Sequence, residues 1–184
     1  MKPLAVGVVC VAALLLLAAS AVGASSVYPT PDPGHTYCVV RADPAVAQGV
    51  ASRIVDSGCF ADPATAQAFG ETGPLSPFIS QVVPLASTIL GTSWTGIGRT
   101  GSSLAFYGSG GNCTNSIWYY FPNFQSPWND NFESTVVATL NCYQGRYYVN
   151  GNYTGGGITC HNNCVTTMGS YNNITSSAVY TGAP

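Results

Sequence analysis

From residue 88 onward the chain is written in short apolar runs. Residues 104–106, 118–121, 135–140, 146–149 and 177–180 are rich in aromatic and β-branched side chains. Glycines at 108–111 and the pair Asn150-Gly151 punctuate them as turns. That pattern predicts the strands of an all-β unit. Before residue 88 the pattern differs. Asp43-Pro44 reads as an N-cap with proline at the first helical position. Val46, Val50 and Ile54 then follow four apart on one helical face, and Gly58 ends the run. Asp62-Pro63 repeats the start signal, with Gly70 as its stop. Residues 78–90 are apolar but interrupted by Pro84, and the pattern assigns them no element. The proline-rich residues 28–34 predict an extended, mobile tail. At the start, Lys2 precedes an apolar run at 6–21 and the small residues Val22-Gly23-Ala24. This predicts a secretory leader cleaved after Ala24, since the run is short for a membrane span.

Composition sharpens the division. All twelve asparagines fall from Asn112 onward, as do nine of the eleven tyrosines from Tyr107 onward, whereas alanine and proline dominate before residue 90. We therefore divide the chain into a leader (1–24), an N-terminal segment (25–87) and a β domain (88–184). Charged residues make up 7% of the 184 residues and the net charge is −2. Cleavage removes the single lysine, leaving four arginines against seven acids. No basic footprint remains for phosphate, so nucleic acid is excluded as a partner.

Cleavage also removes Cys10, leaving Cys38, Cys59, Cys113, Cys142, Cys160 and Cys164. An even count in a secreted chain predicts three disulfides, although six cysteines admit fifteen connectivities. The simplest pairs neighbours, with Cys38–Cys59 inside the N-terminal segment. The compact Cys160-His161-x-x-Cys164 has no second cluster to complete a zinc site.

An internal repeat carries the most information. Residues 130–136 (Asp-Asn-Phe-Glu-Ser-Thr-Val) align with 172–178 (Asn-Asn-Ile-Thr-Ser-Ser-Ala), 42 positions later. Upstream, Trp94 precedes Gly101 by seven residues, as Tyr148 precedes Gly155. The shared pattern is aromatic, glycine, then Asx-Asx-x-x-hydroxyl-hydroxyl, with a longer loop (108–128) in the first copy. This pair resembles the βγ-crystallin superfamily, whose double Greek-key domains carry Asn/Asp-Asn/Asp-x-x-Ser/Thr-Ser once per motif. Asn172-Asn173-Ile174-Thr175-Ser176-Ser177 fits throughout, and Asp130 to Thr135 departs only in its last residue. The resemblance covers residues 88–184 and implies two four-stranded Greek keys, motif 1 over 88–142 and motif 2 over 143–184, packed as a sandwich.

The chemistry of the repeat suits a hard cation. Ca2+ takes carboxylate, amide, carbonyl and hydroxyl oxygens. The expected ligands are Asp130, Asn131, the Phe132 carbonyl and Ser134 for one weak site. Asn172, Asn173, the Ile174 carbonyl and Ser176 serve the other. In the family each site also borrows oxygens from the partner motif. The same residues can instead satisfy turn backbone groups without a metal.

Catalytic patterns fail. Gly96-x-Gly98-x-x-Gly101 lacks a following helix signal and reads as a turn. Asp130 and Glu133 are the only carboxylate side chains after residue 71, and His35 and His161 have no triad partners by motif. The expected function is thus a secreted, non-enzymatic, calcium-binding βγ-crystallin-like protein, monomeric and without a membrane partner once the leader is gone. Two alternatives are kept. One is a proteinase inhibitor or killer-toxin-like antimicrobial that contacts a protease through loop 108–128. The other is a carbohydrate-binding module that stacks polysaccharide on Trp118, Tyr119, Tyr120, Phe121 and Trp128. Three glycosylation sequons begin at Asn112, Asn152 and Asn173.

Overall fold

The computed structural model describes residues 28–34, 36–74, 86–161 and 163–183. The leader, its cleavage site, His35 and much of the apolar run 78–90 lie outside them. Among these residues nine strands form two sheets: β1 (Tyr37–Ala42), β2 (Ile54–Phe60), β3 (Thr88–Gly96), β4 (Thr100–Gly108), β5 (Tyr119–Phe121), β6 (Ser134–Val137), β7 (Gln144–Tyr148), β8 (Gly157–Cys160) and β9 (Ser177–Thr181). Among the described residues one α-helix, α1 (Pro63–Thr72), precedes β3, and 3-10 helices cover Gly151–Tyr153 and Gly169–Tyr171. The sheet orders are β2-β1-β4-β3-β6 and β5-β9-β7-β8.

These orders are two Greek keys that exchange strands. Motif 1 places β3, β4 and β6 in the first sheet and sends β5 to the edge of the second, beside β9. Motif 2 places β7, β8 and β9 in the second sheet and returns its 163–168 segment to the first. There the Thr135 N–H donates to the Cys164 carbonyl at 3.0 Å and the Met168 N–H to the Glu133 carbonyl at 2.7 Å. The result is the βγ-crystallin-like sandwich that the repeat implies.

Between the sheets lies an aromatic core of Phe106, Phe121, Phe124, Trp128 and Phe132, with Leu90 and Leu104. Four buried hydroxyls cross it. Thr135 Oγ1 of β6 lies 3.0 Å from Ser93 Oγ of β3 and 2.8 Å from the Tyr147 hydroxyl of β7. Tyr147 in turn lies 2.6 Å from the Tyr180 hydroxyl of β9. Each polar group thereby keeps a partner away from water, which burial demands. Gly91 and Gly145, at matching places in β3 and β7, admit the Tyr180 ring: an added Cβ would meet it at 2.8 and 3.1 Å.

The N-terminal segment joins this sandwich directly. β1 runs parallel to β4, pairing Tyr37 with Ser103 through Ala42 with Gly108, and β2 forms the outer edge. Cys38 and Cys59 face each other across the β1–β2 hairpin and are bonded. Cys113–Cys142 and Cys160–Cys164 complete the neighbour pairing. Such bonds typically contribute about 2–4 kcal/mol each, and less where the closed loop is short; Cys160–Cys164 spans only 4 residues.

Two expectations fail here for physical reasons. The helix expected after Asp43-Pro44 is a loop: Val46 is 90% exposed, Val50 is exposed, and Ile54 opens β2. The Asp43 N–H closes the hairpin on the Arg53 carbonyl, and its carboxylate takes Arg53 and Ser109 instead of capping. The loop then covers the free edge of β5, with the Ala45 N–H donating to the Trp118 carbonyl and the Ser52 N–H to the Tyr120 carbonyl, both at 2.9 Å. The proline-rich stretch is packed at its start. Tyr28 is 3% exposed, stands edge-on to Phe124, and is followed by Pro29, whose carbonyl accepts from Trp128 Nε1 at 2.6 Å. Phe124 of the long loop is a core residue at 4% exposure, packed against Tyr28, Phe106 and Phe132.

The second helical signal is obeyed. Asp62 caps α1 by accepting from the Thr65 N–H at 2.8 Å, and Pro63 follows. The stop falls at Gly73, not Gly70. Gly73 has φ +77, and a side chain there would collide with the Arg41 guanidinium. Gly70 serves another need: a Cβ would meet the Tyr107 ring at 2.3 Å, so glycine lets α1 lie flat on β4.

Candidate functional site

The strand registers superpose the two motifs. In motif 1, Trp94 of β3 lies opposite Ser134 of β6; in motif 2, Tyr148 of β7 lies opposite Ser177 of β9. The equivalence is therefore Ser134 with Ser177, an offset of 43, and not Ser134 with Ser176. The same serine pair repeats its hydrogen bonds to equivalent hairpin residues. Ser134 Oγ donates to the Gly96 carbonyl at 2.7 Å and accepts from the Arg99 N–H; Ser177 Oγ donates to the Asn150 carbonyl at 2.8 Å and accepts from the Tyr153 N–H. Backbone dihedrals agree, since Asp130 and Asn173 are both left-handed at φ 54 and 56. Motif 1 is thus Asn129-Asp130-Asn131-Phe132-Glu133-Ser134, with Glu133 in the place of Ser176. The repeat as aligned by sequence matched neighbouring hydroxyls to each other. In three dimensions Thr135 has turned into the core, where its counterpart is Ala178.

The corrected register brings the two motifs together as reciprocal crossings. The Asp130 N–H donates to the Thr175 carbonyl at 3.1 Å, and the Asn173 N–H donates to the Phe132 carbonyl at 2.9 Å. Side chains cross the same way. Ser176 Oγ donates to Asp130 Oδ1 at 2.9 Å, and Asn173 Nδ2 donates to Glu133 Oε1 at 2.7 Å. Each crossing therefore holds one carboxylate and one neutral side chain, drawn from opposite motifs. Left-handed backbone at Asp130 and Asn173 suits Asp and Asn, which tolerate it better than other side chains.

Of the eight residues expected to bind a cation, the structure brings Asp130, Asn173 and Ser176 to the crossings. Phe132 contributes there through its carbonyl, already occupied by Asn173. Ser134 is committed to the β3–β4 hairpin. Asn172 Oδ1 accepts from Thr167 Oγ1 and the Met168 N–H, which fixes the turn before the 3-10 helix Gly169–Tyr171. Asn131 Nδ2 donates to the Pro127 carbonyl. Ile174 is 39% exposed on the surface. Glu133 was missed as a site residue. Shifting the alignment by one, so that Asn129-Asp130 becomes the Asx pair, would have found it. Among the described residues no three His, Cys, Asp or Glu converge as a metal cluster.

The other sequence candidates separate cleanly. Tyr119, Phe121 and Trp128 are buried in the core, while Trp118 and Tyr120 line hollows on the outer side of the second sheet. The glycines at 96, 98 and 101 form the β3–β4 turn, with φ of 63 and 76 at the last two. His161 stacks edge-on against Tyr143 and uses Nδ1 on the Tyr143 carbonyl. No helix among the described residues is long and apolar enough to cross a membrane.

No protein-family model matches the chain, and no curated protein sequence matches it. Among solved structures, the crystal structure of a double mutant of a βγ-crystallin domain from Clostridium beijerinckii matches with 20% identity and a TM-score of 0.36. The match covers 50% of this chain and 98% of that one. The assignment of the fold as a βγ-crystallin-like sandwich rests on the strand order and the exchange between the keys.

Proposed function

We propose that this is a secreted, non-enzymatic βγ-crystallin-like protein whose two motif crossings bind Ca2+ weakly and clamp the Greek keys together. The observation that carries the reading is the exchange of carboxylates. Asp130 stands with Ser176 and Glu133 with Asn173, so each crossing has one formal negative charge among hard oxygen donors. Asn173 now donates its amide nitrogen to Glu133. Turning that amide presents its oxygen to a cation instead, a reversal that costs only the one hydrogen bond. Ca2+ usually takes six to eight oxygens. Two side chains at each crossing leave most positions to carbonyls and water, which fits weak binding. Secretion is supported by the leader pattern and by three disulfides, bonds that persist in oxidising compartments.

The test is a thermal melt of the mature chain in millimolar Ca2+ and in chelator. The melting temperature is expected to rise in Ca2+; a tenfold excess over Kd adds about 1.4 kcal/mol by mass action. Asp130→Asn and Glu133→Gln are each expected to shrink the shift. Asn172→Ala is expected to lower stability while leaving the shift in place, because its oxygen is spent on the turn. Superimposable melts with and without Ca2+ would sink the reading.

A further inference from the structure

Sheet alternation places one set of side chains on the outer face of the second sheet. Tyr120, Val179 and Arg146 form one cross-strand row, and Thr181 and Gln144 form the next. Trp118 lies two residues before Tyr120, and Tyr148 two after Arg146, so both belong to the same face. A shallow groove of about 460 Å³ runs over this face, with Gln48 and Gly49 of the β1–β2 loop among its lining residues. It shares Gln144 and Thr181 with an adjoining hollow of about 400 Å³ that reaches Asn115 and Trp118. Trp118 therefore stands level with Thr181 and Gln144 at one end, Tyr148 stands at the other, and the row of Tyr120, Val179 and Arg146 lies between them.

The rings are held in place. Tyr153 stands edge-on to Tyr120 at 5.3 Å and to Tyr148 at 6.0 Å, and the Arg146 guanidinium lies 5.1 Å over the Tyr148 ring. The Tyr153 hydroxyl is buried and has no hydrogen-bond partner among the described residues. No carboxylate lines either hollow. Arg146 forms no ion pair among the described residues.

We propose that this groove binds a segment of polysaccharide. Pyranose rings would stack on Tyr148 at one end and Trp118 at the other, and sugar hydroxyls would pair with Gln144 and Thr181 beside Trp118 and with Arg146 in the row between. The chemistry selects this ligand. A pyranose offers an apolar C–H face to an aromatic ring and a rim of hydroxyls that both donate and accept, which amide and hydroxyl side chains match. A nucleic acid needs several cations and the groove has one. A peptide adding as a strand needs an open sheet edge, and this groove lies on a face. The groove shares no residue with the crossings, so the inference stands whether or not they hold Ca2+.

The experiment is calorimetric titration of the mature chain with cellohexaose, chitohexaose and hexagalacturonate. Saturable binding of at least one is expected. Trp118→Ala and Tyr148→Ala are each expected to weaken it at least tenfold with an unchanged melting curve. If either variant fails to fold, Gln144→Ala, a smaller change on the same floor, is expected to weaken it severalfold. Ile97→Ala, on the exposed β3–β4 turn, should leave it intact. Preference for hexagalacturonate that Arg146→Gln abolishes would assign that guanidinium to a sugar carboxylate; equal binding of the neutral sugars would assign it to hydroxyls. No binding of any hexasaccharide, or binding that survives the groove variants, overturns the proposal.

Discussion

The two sheets share a core but differ on their outer faces. On the first, α1 lies across Val39 and Tyr107, which are buried with Ala66 and packed by Tyr37, Phe60, Phe69, Ile89 and Ala105. Beneath the helix end, Arg41 is 6% exposed and is neutralised by Asp56 and bonded to Ser87. On the second, no α-helix among the described residues lies across the strands, and the half-buried Tyr148 and Tyr153, beside the buried Tyr120, line a groove. Aromatic side chains therefore have opposite uses on the two faces. Where an element covers them they hold the fold; where nothing does they form a surface available for recognition. An uncovered aromatic patch with a polar floor is the kind of surface that marks a binding site.

Substitutions on the covered face should cost most. Asp56→Ala leaves the Arg41 charge buried without its counter-ion and is expected to lose about 3–5 kcal/mol in denaturant unfolding. Gly70→Val drives a side chain into Tyr107 and should cost about 1–3 kcal/mol. If both were tolerated without loss, α1 would be dispensable and the contrast between the faces would collapse.

Alkali sharpens the same contrast. Burial raises the Tyr107 phenol beneath α1 to about 12, and likewise that of Tyr119 in the core. An unfolded tyrosine titrates near 10. Between these values the folded state retains protons that the unfolded state has lost, so stability is complete below about pH 10 and falls as pH rises toward 12. Ultraviolet titration should show these phenols ionising only as the chain unfolds.

Smaller effects are expected elsewhere. Tyr148→Ala on the open face should change stability by less than about 1 kcal/mol, because the ring is only half-buried. Thr175 presents an effect of the opposite sign. It is fully buried in the place that Phe132 takes in motif 1, and its hydroxyl has no partner among the described residues. Thr175→Val should stabilise by about 1 kcal/mol, since an unpaired buried hydroxyl carries a desolvation cost. A loss instead would show that the hydroxyl is satisfied in solution.

Local chemistry was legible wherever neighbours in sequence decide the outcome. Asp62-Pro63 caps α1, and glycines 96–101 turn the β3–β4 hairpin. Disulfides between sequential cysteines followed the same logic. The paired Asx motifs were legible as a repeat, and with them the two-key sandwich.

What the sequence alone could not decide depended on contacts between distant segments. Val46 and Val50 have helical spacing, but no partner surface faces them once β1 pairs with β4 and Asp43 turns to Arg53. Tyr28 sits in a proline-rich stretch, and only Phe124 and Trp128, nearly a hundred residues later, give it a place to be buried. The register of the first motif was ambiguous by one residue because Ser134 and Thr135 are both hydroxyls. Strand pairing resolves it, since a shift of one would turn Thr135 out of the core and Ser134 away from Gly96. That single step moved Glu133 into the crossing with Asn173 and gave each crossing its carboxylate. Pattern determined which elements form; long-range pairing and burial decided which side chains meet.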